Sequence, residues 1–134
     1  MKRDQLVIQS NRKALEELYP WFEKNLGKID FEGFNKNNIF LVSFEMATNA
    51  VLHGNKENSQ KKVTITMVQV EKEIVVSILD EGAGVLILPS KKEAKELDYL
   101  SESGRGLKLA VLLSDEIEYN NNCMRIIFRK DNKN

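Results

Sequence analysis

Apolar and polar positions change period several times along the chain. Leu6 and Ile8 share one face of a short strand predicted over residues 5–9, and Ser10 or Asn11 can cap a helix running to about residue 26. Leu15, Leu18 and Phe22 form its apolar stripe. After a polar break at 28–34, Ile39, Leu41, Val42, Phe44, Ala47, Ala50 and Val51 give residues 36–53 a broad apolar side at helical spacing. Gly54 and Asn55 are read as its stop, and 56–62 as a loop. Val63, Ile65 and Met67 then alternate with Thr64 and Thr66, so residues 62–70 and 73–80 read as a hairpin.

Residues 82–103 are irregular apart from a helical piece near 91–99, and irregular stretches of that length commonly act as lids. Gly104-Arg105-Gly106 opens a further helix carrying Leu107, Leu109, Ala110, Val111 and Leu113. Strands at about 116–119 and 123–129 pair across Asn120-Asn121-Asn122, and the polar end 130–134 is expected to fray. Paired strands beside grouped helices predict an α+β two-layer sandwich: a mixed, mostly antiparallel sheet with helices packed on one face. No repeat or linker divides the 134 residues, so residues 1–134 are read as one domain.

Composition narrows the classes. Residues are 42% hydrophobic and 30% charged, and no apolar run approaches the ~20 residues that span a bilayer, so no membrane association is expected. No stretch of signal-peptide character follows Met1, which predicts a cytoplasmic protein. Lys+Arg and Asp+Glu both number 20, leaving no net field to draw in nucleic acid. Lys91, Lys92 and Lys95 alternate with Glu93 and Glu96, the pattern of a solvated helix face. Cys123 is the only cysteine and reads as a reduced strand residue.

Three groups of residues could carry chemistry. Glu45 and Asn49 stand one helical turn apart on one side, where they can reach one object or simply face water. An Asn carbonyl can be the sole protein ligand of a phosphate-bound magnesium, and Glu45 beside Phe44, Met46 and Ala47 is expected to be partly desolvated, as suits a general base. Asp80 continues the face of Ile74, Val76 and Ile78, so its carboxylate wants a donor such as the amine of adenine. Gly82 and Gly84 would let a flat base approach the backbone, although Asp-Glu-Gly is also ordinary turn chemistry. Gly104 and Gly106 at a helix start present N–H groups to phosphate, and Arg105 can pair with phosphate or face solvent.

Taken in order, Glu45-x-x-x-Asn49 resembles the asparagine box of GHKL (Bergerat-type) ATPases, Asp80-Glu-Gly82-Ala-Gly84 their first glycine box, and Gly104-Arg105-Gly106-Leu107 their second. FEMATNAVLHGN followed by two strands is similar to the anti-sigma-factor serine kinases. That resemblance implies ATP and Mg2+ as ligands, with Asn49 the metal ligand, Glu45 the catalytic base and Asp80 the adenine contact. Gly82, Gly84, Gly104, Arg105 and Gly106 would line the nucleotide pocket. The implied partners are a sigma factor and a serine-bearing anti-anti-sigma protein of STAS type, with a homodimer possible. His53, the only histidine, reads as a helix-end cation or packing residue rather than a phosphoacceptor. Met124 stands near where that family usually carries a threonine, so a protein-binding module with a degenerate nucleotide site is the alternative.

Overall fold

The computed structural model describes residues 2–24, 29–96 and 102–131. Its centre is a five-stranded sheet of order β1-β2-β3-β5-β4, formed by β1 (Lys2–Gln9), β2 (Lys62–Val70), β3 (Glu73–Leu79), β4 (Glu116–Asn120) and β5 (Cys123–Arg129). Every pairing is antiparallel, so the expected mixed character is absent among the described strands. β1 begins three residues before its apolar signal because it lies at the sheet edge. Lys2 pairs with Gln69 and Gln9 with Lys62, so register is continued by the β2 ladder where side-chain alternation is weak.

Side-chain alternation sorts the sheet into two faces. Ile8, Val63, Ile65, Met67, Ile74, Val76, Ile78, Met124, Ile126 and Phe128 all point to one face and are buried there against the helices. Each such side chain contributes about 1.5–3 kcal/mol relative to exposure.

Asn11 caps the first helical segment, its Oδ1 accepting from the Ala14 N–H at 2.8 Å. That segment starts as a 3-10 turn at Ala14–Glu17 and becomes α1 (Leu18–Lys24); the expected continuation to residue 26 lies outside the described residues. Phe22 of α1 meets Phe40 of α2 edge to face at 4.7 Å between ring centres, which ties the first helix to the second.

α2 (Lys36–Asn49) is capped by Asn35, which accepts from the Asn38 N–H at 3.1 Å. Gly54 and Asn55 do end the helical run, but through a wider turn than an α-helix makes. The chain widens into a π turn at Ala50–Gly54, closed by the Asn55 N–H on the Ala50 carbonyl at 2.8 Å, and it reverses at Lys56 and Glu57, both with positive φ.

The irregular stretch contains α3 (Lys91–Glu96), opened by a reciprocal cap in which the Ser90 N–H donates to Glu93 Oε1 at 2.9 Å and the Glu93 N–H to Ser90 Oγ at 3.1 Å. The rest of the expected 91–99 piece falls outside the described residues. α4 (Glu102–Leu113) begins two residues before Gly104, so the glycine pair lies within the helix, Gly104 in its first turn, rather than opening it. The last hairpin turns on Asn121 and Asn122, with φ of 50° and 66°, the left-handed geometry of a two-residue hairpin loop.

Candidate functional site

The π turn determines how the site is assembled. By widening the end of α2 it carries Gly54 over the end of β3, where a β-carbon on Gly54 would lie 2.9 Å from Asp80 Oδ2. Asn55, 1% exposed, then pins three segments together. Its amide donates to Ser10 Oγ at 2.8 Å and to the Lys62 carbonyl at 3.0 Å, while its Oδ1 accepts from the Glu81 N–H at 2.7 Å. Asn55 ends the helical run as its place after Gly54 predicts; its wider role follows from partners 7 to 45 residues away, which no local pattern shows.

Asp80 sits one residue past β3 and is 7% exposed, in line with the buried row of Ile74, Val76 and Ile78. Burial of a carboxylate requires donors. Oδ1 accepts from the Gly82 N–H at 2.8 Å and from Asn122 Nδ2 at 2.9 Å, and Oδ2 accepts from the Tyr119 hydroxyl at 3.4 Å. Burial, followed by the Asp80 charge and hydrogen bond, pushes the Tyr119 hydroxyl above its usual pKa, so it remains protonated and able to donate. Tyr119 and Asn122 were not among the sequence candidates, since they reach Asp80 only through the β3–β5–β4 register.

Around this carboxylate lies a cavity of about 450 Å³, a volume within the range of small-ligand sites. Met46, Ile78, Leu86, Leu107 and Met124 supply apolar wall, with Asp80 and Tyr119 among its polar groups. Asn49 and His53 border it and also border a second cleft of about 420 Å³, which holds Glu45, Phe44 and Arg105. Asn49 therefore stands where the two hollows meet, with Glu45 one turn away on the wall of the second cleft. Both are half-buried, and neither side chain has a hydrogen-bond or ion-pair partner among the described residues.

The glycines divide into different tasks from those expected. Gly82 does not border the cavity; its missing side chain admits the Gly54 carbonyl, which a β-carbon would approach to 2.0 Å. Gly84 does border it, at φ +74°, with Asn122 Oδ1 filling the place of a side chain. Gly106 lies against α2, where a β-carbon would meet Glu45 Oε2 at 3.1 Å and Asn49 Nδ2 at 3.5 Å. With α4 starting at Glu102, Gly104 falls among the first-turn residues whose N–H groups lack helical acceptors, whereas Gly106 lies beyond them. Arg105 is exposed and borders the second cleft only.

No cluster of three or more His, Cys, Asp or Glu side chains suited to a metal exists among the described residues. A metal here would take most of its ligands from phosphate and water, and one unengaged Asn49 amide beside a carboxylate fits magnesium used in that way. No helix among the described residues is long and apolar enough to cross a membrane.

No curated protein matches this chain. A family model described as the histidine kinase-like ATPase domain matches residues 8–130. That span takes in the whole cavity, from the end of β1 through β5, and on this match the chain belongs to the histidine kinase-like ATPase family.

Proposed function

We propose that the protein is an ATP-dependent protein-serine/threonine kinase of the anti-sigma-factor type. In this reading it holds a sigma factor and phosphorylates a serine of a STAS-type anti-anti-sigma partner. The observation that carries the catalytic part is the pair Glu45 and Asn49, one turn apart and without a side-chain partner among the described residues, with Asn49 at the junction of the cavity and the second cleft and Glu45 in that cleft. The partners rest on the likeness of FEMATNAVLHGN to that family.

In this reading the adenine enters beside Asp80, the phosphates lie toward Asn49 and the first turn of α4, and the acceptor hydroxyl comes in through the cleft beside Phe44 and Arg105. The Asn49 side-chain carbonyl would hold a magnesium ion, which would supply charge neutralisation to the phosphates. Glu45 accepts the hydroxyl proton as the serine oxygen bonds to the γ-phosphorus. The bond from that phosphorus to the bridging oxygen breaks, and ADP leaves with the electron pair.

A non-catalytic binding module is the second reading. Met124, 5% exposed in the cavity wall, favours it, because a thioether can pack on a base but cannot donate a hydrogen bond. Titration of ATP with and without magnesium, followed by phosphate transfer to a serine-bearing STAS protein, separates the two. Magnesium-dependent binding with transfer lost in Glu45→Ala supports the kinase. Binding without transfer supports the module, and no binding sinks both nucleotide readings.

A further inference from the structure

Asp80 is held so that only one of its oxygens can respond to a ligand. A carboxylate oxygen has two lone pairs, and those of Oδ1 are taken by the Gly82 N–H at 2.8 Å and Asn122 Nδ2 at 2.9 Å. Asn122 is itself fixed. Its amide also donates to the Gly82 carbonyl at 2.8 Å, and its own backbone carbonyl accepts from the Asp80 N–H at 3.0 Å. Rotation of the carboxylate would break this lattice of bonds, so Oδ2 is the oxygen left for a ligand.

Among the described residues Oδ2 has one partner, the Tyr119 hydroxyl, at 3.4 Å, long for a hydrogen bond between oxygens. Tyr119 borders the same cavity and stays protonated, so its hydroxyl is a loosely held donor beside a fixed acceptor. Ile78 and Met124, its neighbours on β3 and β5, contribute no polar side-chain group strong enough to compete.

Building on the ATP reading above, we propose that the Tyr119 hydroxyl is a specificity-determining contact for the base, turning from Asp80 Oδ2 to donate to a ring nitrogen while Oδ2 accepts from the neighbouring exocyclic amine. The exchange leaves no polar group unpaired: the bond lost between Tyr119 and Asp80 is replaced by one from the amine and one to the ring nitrogen. It selects a 6-aminopurine edge, with a donor outside the ring and an acceptor in it. A 6-oxopurine edge has these reversed, setting a carbonyl oxygen against Oδ2.

Calorimetric titration with magnesium present, using ATP and 1-deaza-ATP on wild type and Tyr119→Phe, tests the contact. Phenylalanine keeps the ring that packs in the sheet, and circular dichroism checks that the fold is retained. The wild type is expected to bind 1-deaza-ATP about tenfold or more weakly than ATP, the effect of losing one good hydrogen bond. Tyr119→Phe is expected to bind both alike, near the wild-type level for 1-deaza-ATP. A merely structural role for the hydroxyl would weaken both ligands equally and leave the wild-type ratio intact, which overturns the proposal. Failure of wild type to bind ATP at all overturns the nucleotide reading itself and this contact with it.

Discussion

A β-carbon on Gly82 would stand 2.0 Å from the carbonyl oxygen of Gly54, a distance that non-bonded atoms cannot hold. The π turn at the end of α2 and the segment after β3 thus touch backbone to backbone, and Asp80 is trapped between them. Because the obstructing atom is main chain, no side-chain rotation relieves the clash. Gly82→Ala is expected to lose about 1–3 kcal/mol in urea unfolding, the usual range for overpacking. It should also lower ATP affinity more than tenfold, since Asp80 must move with the backbone. Wild-type unfolding and binding in this variant would show that the two segments part freely.

What could be read in advance divides along physical lines. The strands β2, β3 and β5 were legible because one face is buried and alternation is enforced at every second residue, which also placed Asp80 in the buried row. The start of β1 was not, because an edge strand with exposed side chains carries little alternation and is placed by its partner's ladder. The start of α4 was missed for a related reason: Gly104 and Gly106 are poor helix formers, and Gly106 is accommodated by close approach to α2. Helical spacing puts Glu45 and Asn49 on one side of α2, but only their order with the Asp80 and Gly104 motifs, and the family resemblance this carries, gives them a role. Tyr119, Asn122 and Asn55 act through contacts between distant segments, which spacing does not encode.

Asn55 should be the most costly polar side chain near the site to remove. Its amide group makes three hydrogen bonds in a place that water does not reach, to Ser10, Lys62 and Glu81. Alanine there leaves the part-buried Glu81 N–H and Lys62 carbonyl without this partner, and an unsatisfied group shielded from water costs about 1–3 kcal/mol. Asn55→Ala is therefore expected to destabilise the fold by at least about 2 kcal/mol by urea titration. Asn55→Asp should not recover this loss, because its second oxygen would face the Lys62 carbonyl acceptor to acceptor and would bury a charge. A loss below 0.5 kcal/mol, the ordinary scatter of surface changes, would show that Asn55 is not the tie between these segments.

Gly106→Ala should separate stability from catalysis. Alanine is favoured over glycine in a helix interior by about 0.8–1 kcal/mol. Its new methyl would meet the end of a flexible side chain, Glu45 Oε2 at 3.1 Å, rather than backbone. The fold is expected to be as stable as wild type or up to about 1 kcal/mol more so. Glu45, however, must yield by a few tenths of an ångström, and a displaced base loses part of the ~10²–10⁴-fold that positioned proton transfer contributes. Thermal unfolding and a phosphate-transfer assay on the same preparation check both halves. An unchanged transfer rate would argue that Glu45 is not the base or that its position is not limiting.

The start of α3 should be sensitive to acid. Glu93 is held below its usual carboxylate range, first by the hydrogen bond from the Ser90 backbone N–H and then by one from the Ser90 side chain. For a carboxyl lowered in the folded state, the stabilising contribution is present above the ordinary value of 4.5 and is lost as pH falls through the lower folded value. The cap is therefore intact at neutral pH and opens only in acid. Glu93→Gln, which can still close the reciprocal cap as a neutral acceptor, should remove the pH dependence without abolishing the helix start. Following the Glu93 carboxyl carbon and the Ser90 amide by NMR from pH 7 to pH 2 gives the test. Both signals should move together at a pH below the ordinary carboxylate value, and the Ser90 shift should vanish in Glu93→Gln. An ordinary Glu93 titration, or a Ser90 shift that survives the substitution, would mean that this cap does not hold the start of α3.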